Sequence, residues 1–371
     1  MAGPENISFS DLAGWRDHDH KAAFAAFCHA ARYLLQSPPT SRAGSARAED
    51  LLAVCEQALL FAESVDQALD NTQARHFFET HFHPEAIAGP GLLTGYFEPV
   101  FEGRHEPDKC FCFPLHKRPD DLVALSEDQA LKAGFTAETS FARQGADGYQ
   151  FHHSRAEVMA GALDDKHLEL VWLKDPFEAY IIHIQGSATI DLGGGRRMRI
   201  AFDGKSGHPY RSLGKLLIEK GVFTAETITM DGLIDYLRAR GTDGHHFLGK
   251  NPSYIYFKAI NDEADGAQAF GPRAAARVPL VPMRSMAVDR HLHTFGLPFW
   301  LQTTLPDASG EDKPFKQMVF AHDTGSAIKG AARGDLFVGT GTEAGARAGK
   351  LQQDTTFICL MPNRPKLAVD E

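Results

Sequence analysis

The sequence predicts a mainly β protein of α+β type, in which a β domain is interrupted by an inserted α/β domain and preceded by a helical N-terminal segment. Two observations carry this. Short alternating apolar runs bounded by Gly and Pro begin near residue 92 and resume after residue 255, while the stretch between them mixes helix and strand patterns. The early and late β runs resemble each other more than either resembles the middle, so a discontinuous β domain fits better than domains in series.

The helical segment is read from KAAFAAFCHAARYLL, which places Phe24, Phe27, Ala31 and Leu34 on one stripe. AEDLLAVCEQALLFAES repeats the pattern after a Ser/Pro/Gly-rich link from Gln36 to Arg47. LLTGYFEPVFEG and CFCFPL then read as strands. Ser154 followed by Glu157 is a capping box opening the helix SRAEVMAGAL. Strand-like LELVWL and AYIIHIQG follow, then a turn at Gly193 to Gly195, the strand RMRIAF, a helix YRSLGKLLIEKG ending at Gly221, and another helix near Leu233 to Arg240. The β texture resumes with SYIYFK, RSMAVD, PFWLQ, QMVFAHD, DLFVG and TTFICLM.

Composition excludes several classes of function. The 38 basic and 48 acidic side chains leave a charge of −10, against nucleic acid as a partner. No stretch has the apolar length of a membrane-spanning helix, and the first fifteen residues lack a basic stretch followed by an apolar one. Five cysteines with one close pair, Cys110 and Cys112, match neither a disulfide framework nor a zinc site, and all five are expected to be buried thiols. The eighteen histidines lack HExxH or a Cys/His spacing and are expected on the surface and in loops, so no metal and no cofactor is implied. The run GTGTEAG, Gly339 to Gly345, cannot complete a dinucleotide-binding βαβ unit, because Gly345 and Gly349 interrupt the following helix and the next strand ends the chain. No GxSxG nucleophile motif occurs.

Carboxylates remain. Asp323 ends the apolar strand QMVFAHD, Asp289 closes RSMAVD in the same way, and Asp335 lies between Gly334 and the apolar LFV. A carboxylate at a strand end beside small residues can reach a groove, and apolar neighbours favour its protonated form, as a general acid at a glycosidic oxygen requires. Each alone is also an ordinary turn residue. Aromatics such as Tyr96, Trp172, Tyr210, Tyr254, Tyr256 and Trp300 supply faces for sugar rings, although core packing accounts for most of them. The residues alone imply a carbohydrate-acting β domain and do not rank the aspartates.

Seven ordered segments carry a resemblance: LTGYFEPV (93–100), SRAEVMAGALDDK (154–166), IIHIQGSATIDL (181–192), GHPYRSLGKLLIEKG (207–221), NPSYIYFK (251–258), VPLVPMRSMAVDR (278–290) and DTGSAIKGAARGDLFVGTGTEAGARAG (323–349). Together they resemble the membrane-bound lytic transglycosylase A family, over nearly everything after about residue 90. The resemblance implies a double-psi β-barrel domain with a second domain inserted into it. Residues 1–105 would hold the helical segment and the first part of the barrel, 106–261 the inserted substrate-groove domain, and 262–371 the rest of the barrel with the three aspartates. It also implies cleavage of the β-1,4 bond between N-acetylmuramic acid and N-acetylglucosamine in peptidoglycan without water, leaving a 1,6-anhydro ring.

By similarity the catalytic aspartate is Asp335, with Asp323 and Asp289 as companions. Tyr96, Gln185, Gly186, Ser187, Tyr210 and Lys329 would contact the substrate. The C6 hydroxyl of the sugar is the tethered nucleophile, so proximity, worth effective molarities on the order of 10⁵ M, replaces activation of a free water. One carboxyl group then serves as acid and afterwards as base. The partner implied is a peptidoglycan glycan strand, the protein a monomer, and its place the periplasm or cell envelope, although no signal peptide or lipid-attachment cysteine is visible. Two departures from the family pattern, Gly325-Ser326 in place of Gly-Gly and Ala188 in place of glycine, narrow backbone freedom slightly. Two other readings keep the same residues: a hydrolytic β-glycanase using Asp335 as acid and Asp289 or Asp323 as base, and a non-catalytic cell-wall-binding module.

Overall fold

The N-terminal helices form where the apolar stripes predict them. In the computed structural model, which describes residues 5–36, 46–65, 69–225, 227–260, 271–307 and 311–363, the first spans His20–Gln36 and the second Ala48–Ser64. Phe24, Phe27, Ala31 and Leu34 are all within 2% of full burial, and each large apolar side chain so removed from water stabilises by about 1.5–3 kcal/mol. Most of the predicted link between these helices lies outside the described residues. A third helix, Asn71–His81, opens on Asp70, whose carboxylate accepts the amide of Gln73 while the Gln73 side chain returns to the Asp70 amide. The chain is mixed α+β, mostly β, with helices at its N-terminus.

The chain divides into two compact units, residues 1–97 with 269–371, and residues 98–268. The first is built on a nine-stranded sheet whose order is Glu5–Asn6, Phe82–Ala86, Thr356–Pro362, Pro298–Pro306, Asp312–Asp323, Ser285–Val288, Arg333–Thr340, Leu92–Glu98 and Gln352–Asp354. The order runs from edge to edge without closing on itself among the described residues. Most of its pairings are antiparallel, but Ser285–Val288 runs parallel to Asp312–Asp323. Short strand Ser285–Val288, buried at every position, therefore lies between a parallel and an antiparallel neighbour.

The second unit holds a six-stranded sheet in the order Ile255–Ile260, Arg196–Lys205, Ser187–Gly193, Val100–Arg104, Glu169–Leu173 and Phe113–His116. A three-stranded sheet, Leu122–Ala124, Phe141–Gly145 and Gly148–Gln150, accompanies it. Helices Pro176–Gln185, Leu213–Glu219, Met230–Arg238 and Thr242–Leu248 share a separate apolar cluster around Tyr180, Leu217 and Leu237.

Several expectations are corrected. AYIIHIQG, read as a strand, is the end of helix Pro176–Gln185: the Asp175 carboxylate accepts the Phe177 amide, Pro176 stands in the first turn, and Gly186 ends the helix at φ 79°. These end signals outweigh the β-branched content of the run. The helix opened by Ser154 is shorter than the run suggested, Arg155–Met159, because Gly161 takes a left-handed φ of 95°. After Gly341 the chain does form a helix, Thr342–Ala348; Gly345 is needed there because a Cβ would come within 2.8 Å of the Phe97 ring. Cys28, Cys55 and Cys359 are buried, but Cys110 and Cys112 are exposed. The histidines are not mainly superficial: His18, His20, His116, His152, His183 and His322 are buried, because ring stacking and hydrogen bonds inside the two units absorb them.

Candidate active site

Ala287 marks the centre of the carboxylate site. In the parallel pairing it is the register partner of Asp323, and in the antiparallel pairing that of Asp335. The two aspartates thus flank one small residue of a buried strand. The neighbouring strand Leu92–Glu98 contributes Thr94 and Tyr96, two residues apart and so on one face. The Thr94 hydroxyl donates to Asp335 Oδ1 at 2.5 Å, and the Tyr96 hydroxyl to Asp323 Oδ2 at 2.9 Å.

The two carboxylates differ in what surrounds them. Asp323 Oδ1 also accepts the amides of Ala275 (3.0 Å) and Thr324 (2.9 Å), so that carboxylate holds three donors. Asp335 receives Thr94 alone, and its Oδ2 has no protein donor among the described residues. Burial raises both carboxyls above the usual aspartate range. At Asp335 the Thr94 bond and the Arg333 charge pull the other way; at Asp323 the three donors do, while the Asp335 charge adds to the rise. Arg333 Nη2 donates to Thr94 Oγ1 at 2.8 Å, so an Arg333–Thr94–Asp335 chain fixes the hydroxyl proton toward the carboxylate. Tyr96 keeps its proton, because burial and the Asp323 and Asp335 charges raise its hydroxyl well above the ordinary value.

Asp289 stands apart from this network. It is buried, with Oδ1 on the His291 amide (3.1 Å) and Oδ2 on the Gly330 amide (2.9 Å), and so fastens the loop carrying the exposed Lys329 to the end of its own strand. Gly330 has a φ of 105°, which suits glycine. Gln185, Gly186, Ser187 and Tyr210 belong to the inserted unit. The first three turn the corner from helix Pro176–Gln185 into strand Ser187–Gly193, and the Gly186 carbonyl accepts the Phe202 amide at 2.9 Å. Tyr210 is 37% exposed.

Thr94 and Arg333 were missed in the sequence. Their signal is the strand period: Thr94 lies two residues before Tyr96, and Arg333 two before Asp335. A second polar centre, in the inserted unit, was missed as well. Arg155 is 4% exposed, donates Nη1 to His183 Nδ1 at 2.6 Å and Nη2 to the Ser253 carbonyl at 2.8 Å, and lies over the rings of Tyr180 (5.1 Å) and Tyr254 (5.4 Å). No carboxylate pairs with it among the described residues. His183 accepts through Nδ1, so its proton sits on Nε2. No cluster of three or more metal-ligating side chains occurs among the described residues, and no helix among them is long and apolar enough to cross a membrane.

Residues 92–258 match the model of the MltA specific insert domain, and residues 284–361 that of the 3D domain. The membrane-bound lytic murein transglycosylase A of Vibrio cholerae is 31% identical over 265 residues, which is 70% of this chain and 62% of that protein. The chain thus spans less than two thirds of the length of this curated relative. The crystal structure of a membrane-bound lytic murein transglycosylase from Agrobacterium tumefaciens is 34% identical with a TM-score of 0.86, covering 97% of this chain and 98% of that one. That of MltA from Neisseria gonorrhoeae is 29% identical with a TM-score of 0.74, covering 99% and 93%. With its aspartates on the part matched by the second model and its inserted unit largely within the first, this chain belongs to the membrane-bound lytic murein transglycosylase A family.

Proposed function

We propose that this chain is a peptidoglycan lytic transglycosylase with Asp335 as its single acid and base. The observation that carries the assignment is the asymmetry of the two carboxylates: Asp335 is held by one donor with Oδ2 unclaimed, whereas Asp323 holds three donors spread over both oxygens. A raised pKa supplies Asp335 with a proton for the leaving oxygen of the β-1,4 bond between N-acetylmuramic acid and N-acetylglucosamine. Once that bond breaks, the carboxylate accepts the proton of the C6 hydroxyl as its oxygen closes on C1, giving the 1,6-anhydro ring and regenerating the acid. No water enters.

A hydrolase would need a second carboxylate to activate water or to attack the sugar. Asp323, with donors on both oxygens, is a poorer base than a carboxylate with one oxygen open, which favours the transglycosylase over the β-glycanase. Asp323 and Tyr96 instead hold the floor of the site, and Asp289 holds the Lys329–Gly330 loop. In this reading Tyr96, Lys329, Gln185, Gly186, Ser187 and Tyr210 contact the glycan strand. The sheet of the first unit is a double-psi barrel, a reading supported by a parallel pairing beside antiparallel ones and by the family match. Residues 106–261 form the inserted substrate-groove domain, and the protein works as a monomer; its place in the cell envelope is supported by the membrane-bound names of its relatives.

Mass spectrometry of murein digested by wild type and Asp335→Asn side by side tests this. Anhydro-muramic ends from wild type and none from the variant are expected. Reducing ends from wild type would establish the hydrolase, and no cleavage at all would leave the wall-binding module.

A further inference from the structure

Cys110 and Cys112 are exposed, whereas Phe111 between them is 5% exposed. The Phe111 ring is held by the Arg104 guanidinium carbon at 4.4 Å and the Lys174 ammonium at 5.1 Å from its centroid. With the middle residue turned inward and clamped, both thiols face solvent. The backbone is fixed around them: Asp108 Oδ1 accepts the amides of Cys110 (2.7 Å) and Phe111 (2.8 Å), the Asp108 amide donates to the Phe111 carbonyl (3.0 Å), and the Cys112 amide to the Leu173 carbonyl (3.1 Å). Residues two apart have Cα atoms at most roughly 7 Å from one another, which is close to the Cα range of about 4.4–6.8 Å that a disulfide spans.

From this arrangement we propose that Cys110 and Cys112 form a reversible dithiol modification site, oxidised to an intraloop disulfide by small-molecule disulfides. One cysteine thiolate attacks a sulfur of the exogenous disulfide, giving a mixed disulfide and releasing one thiol. The second cysteine then attacks the protein-side sulfur of that mixed disulfide, forming the Cys110–Cys112 bond and releasing the second thiol. Two electrons and two protons pass from the two cysteines to the two released thiols, so the exogenous disulfide is the oxidant. A bridge over one intervening residue is strained and exposed, and such disulfides are oxidising and easily reduced. The other cysteines do not compete: burial removes them from attack and pushes the Cys28 and Cys55 thiols up to about 12 and that of Cys359 higher still.

The test exposes the full chain to oxidised glutathione and maps its cysteine peptides by mass spectrometry. Expected is a Cys110–Cys112 peptide lighter by two hydrogens, carrying no glutathione, restored by mild thiol, with Cys28, Cys55 and Cys359 unmodified. Cys110→Ser and Cys112→Ser, both at exposed positions that the fold does not need, should each retain one glutathione on the remaining thiol. A wild-type peptide that holds two glutathiones without a bridge, or that stays unmodified, overturns the proposal.

Discussion

In the unit that carries the aspartates, burial drives Asp323 and Asp335 toward their neutral forms; in the inserted unit the same burial surrounds Arg155, which has no accessible neutral form. A buried carboxyl can settle its desolvation by holding a proton and can later hand that proton on. A buried guanidinium keeps its charge and needs fixed partners, here His183, the Ser253 carbonyl and two tyrosine rings, with its Nε left without a hydrogen bond. The first arrangement suits chemistry, and the second ties helices Arg155–Met159 and Pro176–Gln185 to the approach to strand Ile255–Ile260.

The largest test of this contrast is Asp335→Asn. Loss of an acid that works in both half-steps should lower turnover by about 10² to 10⁴-fold. Stability should move the other way. Because the folded pKa of Asp335 lies above its unfolded value, its stabilising contribution is complete below the ordinary aspartate pKa and is lost as pH rises through the raised one. Above that raised pKa the ionised form is a cost that Asn removes, so there the Tm should hold or rise. A clear fall in Tm with turnover intact would make Asp335 structural and erase the distinction between the two centres.

The buried histidines give the opposite pH signature. Burial lowers His18 and His322 to about 3 and His20, His116 and His152 to about 4, with His183 well below its ordinary value. A folded pKa below the unfolded one means stability that is complete above the unfolded value of 6.5 and lost as pH falls toward the folded values. A tenfold difference in proton affinity between the folded and unfolded chain is worth about 1.4 kcal/mol, so several such rings together imply a loss of several kcal/mol by about pH 4. Urea unfolding at about pH 7 and about pH 4.5 reads it; an unchanged midpoint would mean that these rings are already protonated in the fold.

Next in size is Arg155→Met. It keeps the apolar bulk over the two tyrosines but strips a donor from His183 Nδ1 and from the Ser253 carbonyl. Each buried acceptor left unmet costs about 1–3 kcal/mol, offset in part by removal of a charge without a carboxylate partner. A net loss on the order of 1–3 kcal/mol is expected by urea unfolding. A variant as stable as wild type would show that desolvation of the guanidinium cancels its bonds.

What the sequence made legible follows the range of the interactions. Helix His20–Gln36, the Ser154 cap and the strand ends at Asp323 and Asp289 depend on neighbours a few residues away. Asp335 could be recognised as a strand carboxylate but not ranked, because the donors that distinguish it from Asp323 come from Thr94, Tyr96 and Ala275, dozens to hundreds of positions distant. The same distance hid Arg155, whose partners lie at 183 and 253. AYIIHIQG differs for another reason: its Asp175-Pro176 start and Gly186 stop are local signals that outweigh the strand preference of three isoleucines. The exposure of Cys110 and Cys112 depends on Phe111 finding Arg104 and Lys174, which no spacing announces.

The smallest effect joins the local and the long-range kinds of evidence. Ser154 caps the helix whose first residue is Arg155: its amide and hydroxyl both donate to Glu157 Oε2 at 2.7 Å, and its oxygen accepts the Glu157 amide at 3.4 Å. Ser154→Ala should cost about 0.5–1 kcal/mol, the ordinary worth of such a cap at an exposed site. If the cap also sets where the guanidinium begins, the loss in Ser154→Ala should shrink once Arg155 is already Met, because the bonds it helps to aim are gone. A double-mutant cycle by urea unfolding measures that coupling. Strict additivity would mean that the His183 and Ser253 partners alone hold Arg155, and that the five-residue helix merely carries it.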